Sequence, residues 1–175
     1  MAFPTRRAYI RSLLPAAEYL ERHSGIHKVG PLALAALLTS KGFLVLKDEK
    51  GKSLNNHFLL LDDIYWAGET ALVEVSEELG GRTVSRLREF KRYPSAMESF
   101  LDFAVFLRSN KRFEKALSGA HEPYLFFHGL RRAAYLASGP AEWDKQRTYI
   151  LYVQKALGLP LGWLNPDLAV SGWDM

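Results

Sequence analysis

The stretch Pro31-Leu32-Ala33-Leu34-Ala35-Ala36-Leu37-Leu38 constrains the fold more than any other part of the chain. Proline suits a first helical turn, where its missing N–H has no partner to lose, and alanine and leucine are strong helix formers. A helix that is apolar nearly all round has no face to offer water, so the rest of the chain must bury it. The spacing predicts this helix from Pro31 through Thr39, with Gly42 as its C-cap.

Around it the apolar periodicity predicts further helices. The first covers about residues 6–23, carries Ile10, Leu13, Leu14, Ala17 and Leu20, has a kink or restart at Pro15, and stops at Gly25. Ser95-Ala96-Met97-Glu98 is a capping box that opens a third helix with Phe100, Phe103, Ala104 and Leu107 on one face. A short helix follows over Lys111 to Leu117. Pro123 opens another, with Phe126, Phe127, Leu130, Ala134 and Tyr135, and Pro140 opens the last, which Gly158 closes. Between the second and third helices, Ala71 to Glu78 and Thr83 to Phe90 flank Gly80-Gly81, the signature of a β-hairpin with a tight turn. Residues 43–68 read as an irregular segment.

At 175 residues, with 48% hydrophobic and 24% charged side chains, the chain suits one globular domain. Residues 159–175 are expected to be a tail packed on that body. Lys and Arg number 23 against 19 Asp and Glu, and the net charge of +4 leans toward anionic partners. Cysteine is absent, which excludes disulfides, thiolate zinc sites and a cysteine nucleophile. No cofactor is implied, and His23, His27, His121 and His128 lack metal-ligand spacing, so no metal site is expected. Arg11 and Pro15 interrupt any signal-peptide core, and no apolar run reaches the length of a membrane span.

The order of short motifs resembles the glucosaminidase-domain family of bacterial peptidoglycan hydrolases, in the lysozyme-like superfamily, over roughly residues 10–155. The helix Leu32-Ala33-Leu34-Ala35-Ala36-Leu37-Leu38 is similar to the family's Leu-Ala-Gln-Ala-Ala-Leu-Glu. Asn56-His57-Phe58-Leu59 stands for Asn-x-Phe-Gly, and Trp66-Ala67-Gly68 for Trp-x-Gly. Ser76-Glu77, Gly81 and Phe90-Lys91-Arg92-Tyr93 follow the family's Thr-Glu, glycine turn and Phe-Arg-x-Tyr. Ser99-Phe100-Leu101-Asp102-Phe103-Ala104 and Asn110-Lys111-Arg112-Phe113 come next, and Leu130-Arg131-Arg132-Ala133-Ala134-Tyr135 resembles Leu-x-x-Ala-Gly-Tyr.

The resemblance implies a mainly α (α+β) lysozyme-like helical domain, with a small β-hairpin bordering a groove for GlcNAc/MurNAc glycan strands. Asn56, Phe58 and Tyr135 would form the groove floor and sugar contacts, with Trp66 as support beside the hairpin or as a sugar platform. Three departures fall on the chemistry. Leu38 occupies the family's catalytic glutamate position, Leu34 replaces the glutamine one turn earlier, and Leu59 replaces a glycine. Glycoside hydrolysis needs a carboxylic acid to protonate the leaving oxygen, and leucine has none. Glu77 is the candidate catalytic carboxylate, with Glu69 and Glu74 as alternates; strand alternation puts Glu77 on the opposite face from Glu74 and Glu78.

Two readings follow from the resemblance: a divergent wall hydrolase, such as a phage-borne lysin or an injected type VI secretion effector with a cognate immunity or delivery protein, and a pseudoenzyme that keeps glycan binding. Either would act in the periplasm or cell wall after non-classical export. The competing class is a cytoplasmic protein-interaction module that reuses the fold. A basic stripe of Arg82, Arg86, Arg88, Lys91 and Arg92 reads as a solvated face, or as a surface for wall carboxylates, with nucleic acid the less favoured partner.

Overall fold

The structure is a computed structural model that describes residues 5–39, 46–137 and 139–160. Six α-helices and one hairpin follow in the order α1 (Arg6–Ser24), α2 (Val29–Leu38), β1 (Thr70–Leu79), β2 (Arg82–Lys91), α3 (Ala96–Ser109), α4 (Glu114–Ser118), α5 (Pro123–Arg132) and α6 (Pro140–Ala156), with a 3-10 turn at Lys111–Phe113 before α4. This is the mainly helical, α+β architecture that the periodicity and the glycine turn predict.

α2 is the buried axis. Every residue from Val29 to Ala36 is buried, and α1, α5 and α6 pack around the helix. It departs from expectation at both ends. It begins at Val29 instead of Pro31, so the proline is the third helical residue, still within the turn where no N–H partner is required. It ends at Leu38, where the N–H of Thr39 donates to the Ala35 carbonyl at 3.1 Å and its hydroxyl donates to the same oxygen at 2.7 Å. Gly42 lies outside the described residues, as does the tail from residue 161 onward. α1 runs through Pro15 without a restart.

α5 also stops earlier than its apolar spacing suggests. Ala134 adopts φ 57°, the Ala134 N–H donates to the Arg131 carbonyl at 2.9 Å, and the Tyr135 N–H donates to the Leu130 carbonyl at 3.0 Å. These two bonds form a Schellman motif with alanine in the left-handed position usually held by glycine. Ala134 and Tyr135 therefore lie beyond α5, and the reversal aims the Tyr135 ring back at the core.

The hairpin is antiparallel, with Leu79 opposite Arg82 across Gly80-Gly81, whose φ values of 58° and 78° suit a two-residue turn. Its strands contact chiefly each other. At its foot a stub of third strand joins β2: the Lys91 N–H donates to the Leu60 carbonyl at 3.1 Å and the Asp62 N–H to the Glu89 carbonyl at 2.9 Å. The long arm is thus anchored at one end, next to α3.

The left-handed alanine yields a prediction. Ala134→Gly removes the steric conflict of Cβ with the backbone and should stabilise the protein by about 1 kcal/mol, read as a higher urea midpoint at unchanged slope. A lower midpoint would show that the cap is not strained.

Candidate functional site

The hairpin foot is built on a buried charge. Lys91 is 4% exposed, and its ammonium lies 2.8 Å from Asp63 and 3.1 Å from Asp102. Burial alone would lower its pKa, but hydrogen bonds to the two carboxylates outweigh it and the net shift is upward. The same ammonium lies 4.9 Å from the centre of the Trp66 ring. Trp66 meets Tyr93 edge to face at 5.2 Å and donates its indole N–H to the Glu69 carbonyl at 2.9 Å. Tyr93 donates to Asp102 at 2.6 Å, and burial followed by that carboxylate pushes its hydroxyl pKa up. Trp66 is thus held by the hairpin foot, and Gly68 is required beside it, because a Cβ there would lie 2.4 Å from the indole.

Lys91 and Arg92 do not belong to a solvated stripe. Arg92 is paired with Asp48, whose carboxyl it holds below the usual range, and also donates to the Ser53 carbonyl. Lys91 ends β2 and Arg92 follows it, where the hairpin enters the body and exposure falls. Arg82 and Arg86 remain exposed, and Arg88 is half-buried.

Asn56 is fully buried and closes a local loop. Its amide nitrogen donates to the carbonyls of Leu60 at 2.8 Å and Lys91 at 3.0 Å, and its oxygen accepts from the Leu60 N–H at 3.0 Å. Both amide N–H groups are therefore engaged within the chain. The clamp holds Leu59 at φ 55°, a conformation that favours glycine. Phe58 at the loop apex is 1% exposed, stacked on Phe103 with centroids 4.1 Å apart. Tyr135 donates to the Phe58 carbonyl at 3.0 Å, and burial pushes its hydroxyl pKa up. Of the expected groove residues, Phe58 and Tyr135 are thus directly joined, while Asn56 and Trp66 meet at Lys91.

A second buried network ties this loop to α2. The Tyr9 hydroxyl and Nδ1 of His57 are 2.9 Å apart, the backbone N–H of His57 donates to Ser99 Oγ at 3.1 Å, and the Thr39 side chain also meets the Tyr9 hydroxyl. Burial lowers the His57 pKa to about 4, which keeps the ring neutral at ordinary pH. Leu38, one residue before Thr39, is half-buried and packs on the core.

Glu77 lies far up the hairpin, on the half-buried face with Val73 and Val75. Arg88 grips it through two hydrogen bonds, Nε to Oε1 at 2.7 Å and a terminal nitrogen to Oε2 at 3.0 Å. That contact holds its carboxyl below the usual range, so Glu77 is ionised and suited to polarise water or balance positive charge, not to donate a proton. Glu74 accepts from Ser85 on the outer face, and Glu69 is exposed, 3.8 Å from Arg92. Among the described residues no three His, Asp or Glu side chains are placed to hold a metal.

The residues that organise this region and that sequence reasoning passed over are Tyr9, Asp63, Ser99 and Asp102, while Lys91, which the sequence places in a surface stripe, is buried. Lys91, Ser99 and Asp102 stood inside the quoted motifs. Their signal was the pairing of a basic residue in one motif with an acid in the next.

Residues 14–159 match the family described as Glucosaminidase, mannosyl-glycoprotein endo-beta-N-acetylglucosaminidase. The peptidoglycan hydrolase FlgJ of Pseudomonas aeruginosa is 32% identical over 133 residues, 76% of this chain and 33% of that protein. FlgJ of Vibrio cholerae is 33% identical over 143 residues, 82% of this chain and 42% of that protein. The chain therefore spans less than half the length of these relatives. Among solved structures, a peptidoglycan hydrolase mutant from Sphingomonas sp. A1 superposes with TM-score 0.73 at 23% identity, covering 87% of this chain and 98% of that one. The truncated glycoside hydrolase domain of Salmonella typhimurium FlgJ gives 0.71 at 23% identity, covering 86% and 99%.

Two stability measurements check the networks. The folded state binds a proton on His57 only near pH 4, whereas an unfolded histidine binds one near pH 6.5. Its contribution is thus complete above about pH 6.5 and is lost as pH falls toward 4, about 3 kcal/mol in all. Urea melts at pH 7 and pH 4.5 should show this loss in the wild type and a smaller one in His57→Gln. Lys91→Met should cost about 3 kcal/mol at neutral pH, because it strands the Asp102 carboxylate, and adding Asp102→Asn should recover part of it. Equal stability of Lys91→Met and wild type would remove the buried ammonium from its central role.

Proposed function

The chain belongs to the glucosaminidase family, with its lysozyme-like α+β fold, and from that premise we propose that it is directed at peptidoglycan and engages GlcNAc/MurNAc glycan strands without the family's general acid. The observation that carries this reading is the state of the two candidate positions. Leu38, aligned by its motif with the catalytic glutamate, is a half-buried apolar side chain at the end of α2. Glu77, the hairpin carboxylate, is bound on both oxygens by Arg88 and kept ionised. An oxocarbenium-type reaction requires a protonated carboxyl at the leaving oxygen, and neither residue supplies one. Recognition can persist without it, since the loop and the hairpin foot are held by Lys91, Asn56 and Tyr135 and not by an acid at either position.

A second reading, a divergent hydrolase, is favoured by one feature of Glu77. An ionised carboxylate on the half-buried hairpin face suits a base that activates water, provided an acid comes from elsewhere.

The deciding experiment combines sedimentation with purified sacculi and mass spectrometry of the soluble digest for wild type, Glu77→Ala and Leu38→Glu. The wild type should sediment with sacculi and release no fragments with new reducing ends, and Glu77→Ala should behave alike. Release by the wild type that disappears in Glu77→Ala would replace the binding reading with the hydrolase. Equal recovery with and without sacculi would defeat both and favour a protein-interaction module.

A further inference from the structure

α1 opens against the ordinary electrostatic preference of a helix. Its first turn holds Arg6 and Arg7 and no acidic residue. Arg11 follows Arg7 by one turn on the same face, so like charges are neighbours at the helix end that already carries partial positive charge. The end of α6 lies alongside and adds Lys155. Arg7, Arg11 and Lys155 line one cavity of about 460 Å³, and Leu14, Ala156 and Leu157 supply its apolar part.

The three cations are exposed, and among the described residues none forms an ion pair. Arg88, Lys91 and Arg92 are each paired with a carboxylate in the same molecule. At the α6 terminus the N–H groups of Leu157, Gly158 and Leu159 bond to the carbonyls of Val153, Lys155 and Gln154.

We propose that this cavity is a binding site for a phosphate group carried on an apolar chain. A phosphate carries the charge that complements the three cations lining the cavity, which form no ion pair among the described residues. The two guanidinium forks and the ammonium can share its non-ester oxygens, each of which accepts more than one hydrogen bond. The Leu14, Ala156 and Leu157 side of the cavity covers the apolar part of the ligand. The phosphate can come from a lipid headgroup at a membrane surface or from a free phosphate-bearing molecule. The site stands apart from the hairpin and loop described above, and its occupancy does not depend on glycan binding.

The test compares the wild type with Arg7→Gln/Arg11→Gln/Lys155→Gln. A control, Lys50→Gln/Lys111→Gln/Lys115→Gln, removes equal charge from other exposed positions. Two probes are used: inorganic phosphate, followed by backbone amide shifts, and vesicles of phosphatidylglycerol and phosphatidylcholine in about equal parts, set against phosphatidylcholine alone. Phosphate should shift the amides of residues 7–14 and 155–158. The wild type should partition onto the anionic vesicles about tenfold more than onto the neutral ones, with an affinity that falls as salt rises. The cavity variant should lose about tenfold of that binding and the control far less. Phosphate shifts at the cavity without vesicle binding would support the site and assign a free phosphate ligand. A control that loses as much as the cavity variant, or no cavity shift with either probe, would overturn the proposal, as would binding to a DNA duplex with neither probe bound.

Discussion

Lys91 is a charge placed almost out of reach of water, and three parts of the chain meet on it. Its side chain needs Asp102 from α3 and Asp63 from the loop before the hairpin. Its carbonyl takes the amide of Asn56, and its N–H reaches Leu60. A desolvated ammonium is tolerable only with its partners in place, so its demand sets the position of α3, the loop and the hairpin foot together. Trp66 and Tyr93 then close around it as aromatic walls. The hairpin beyond this point has little other support, and its direction is inherited from this one cluster.

The contrast between α2 and the hairpin arm explains how chemistry is distributed over the molecule. α2 is enclosed, and the network reaching its end is neutral: a tyrosine, a threonine and an uncharged histidine. The arm is exposed, and its half-buried face carries one ion pair, Glu77 with Arg88, while Glu74 accepts a hydrogen bond from Ser85 on the outer face. The neutral histidine and the ionised Glu77 both keep their protonation state near neutrality.

Much of the fold was legible because it depends on periodicity and capping. The all-apolar run forced α2 into the interior, Ser95 and Glu98 marked the start of α3, and Gly80-Gly81 marked the turn. What stayed hidden was long-range. Composition does not distinguish Lys91 from Arg86, five residues apart on β2; the approach of Asp102 and Asp63 does. The helix ends were misjudged for the same reason. Thr39 and Ala134 terminate α2 and α5 through hydrogen bonds that composition does not announce, since alanine at Ala134 would ordinarily extend a helix. Of the candidate site, the sequence singles out Phe58, Trp66 and Tyr135 as residues, and only the three-dimensional contacts show how they engage the core and their neighbours.

The Asn56 clamp has a bearing on how such domains are found. The loop keeps its left-handed residue although that residue is leucine, because the asparagine amide bonds both the N–H and the carbonyl of Leu60 and leaves the backbone between them little choice. The glycine in the motif eases this bend without causing it. A pattern search that demands the glycine would pass over chains with this loop, whereas one keyed to the asparagine and the lysine whose carbonyl it holds would retrieve them.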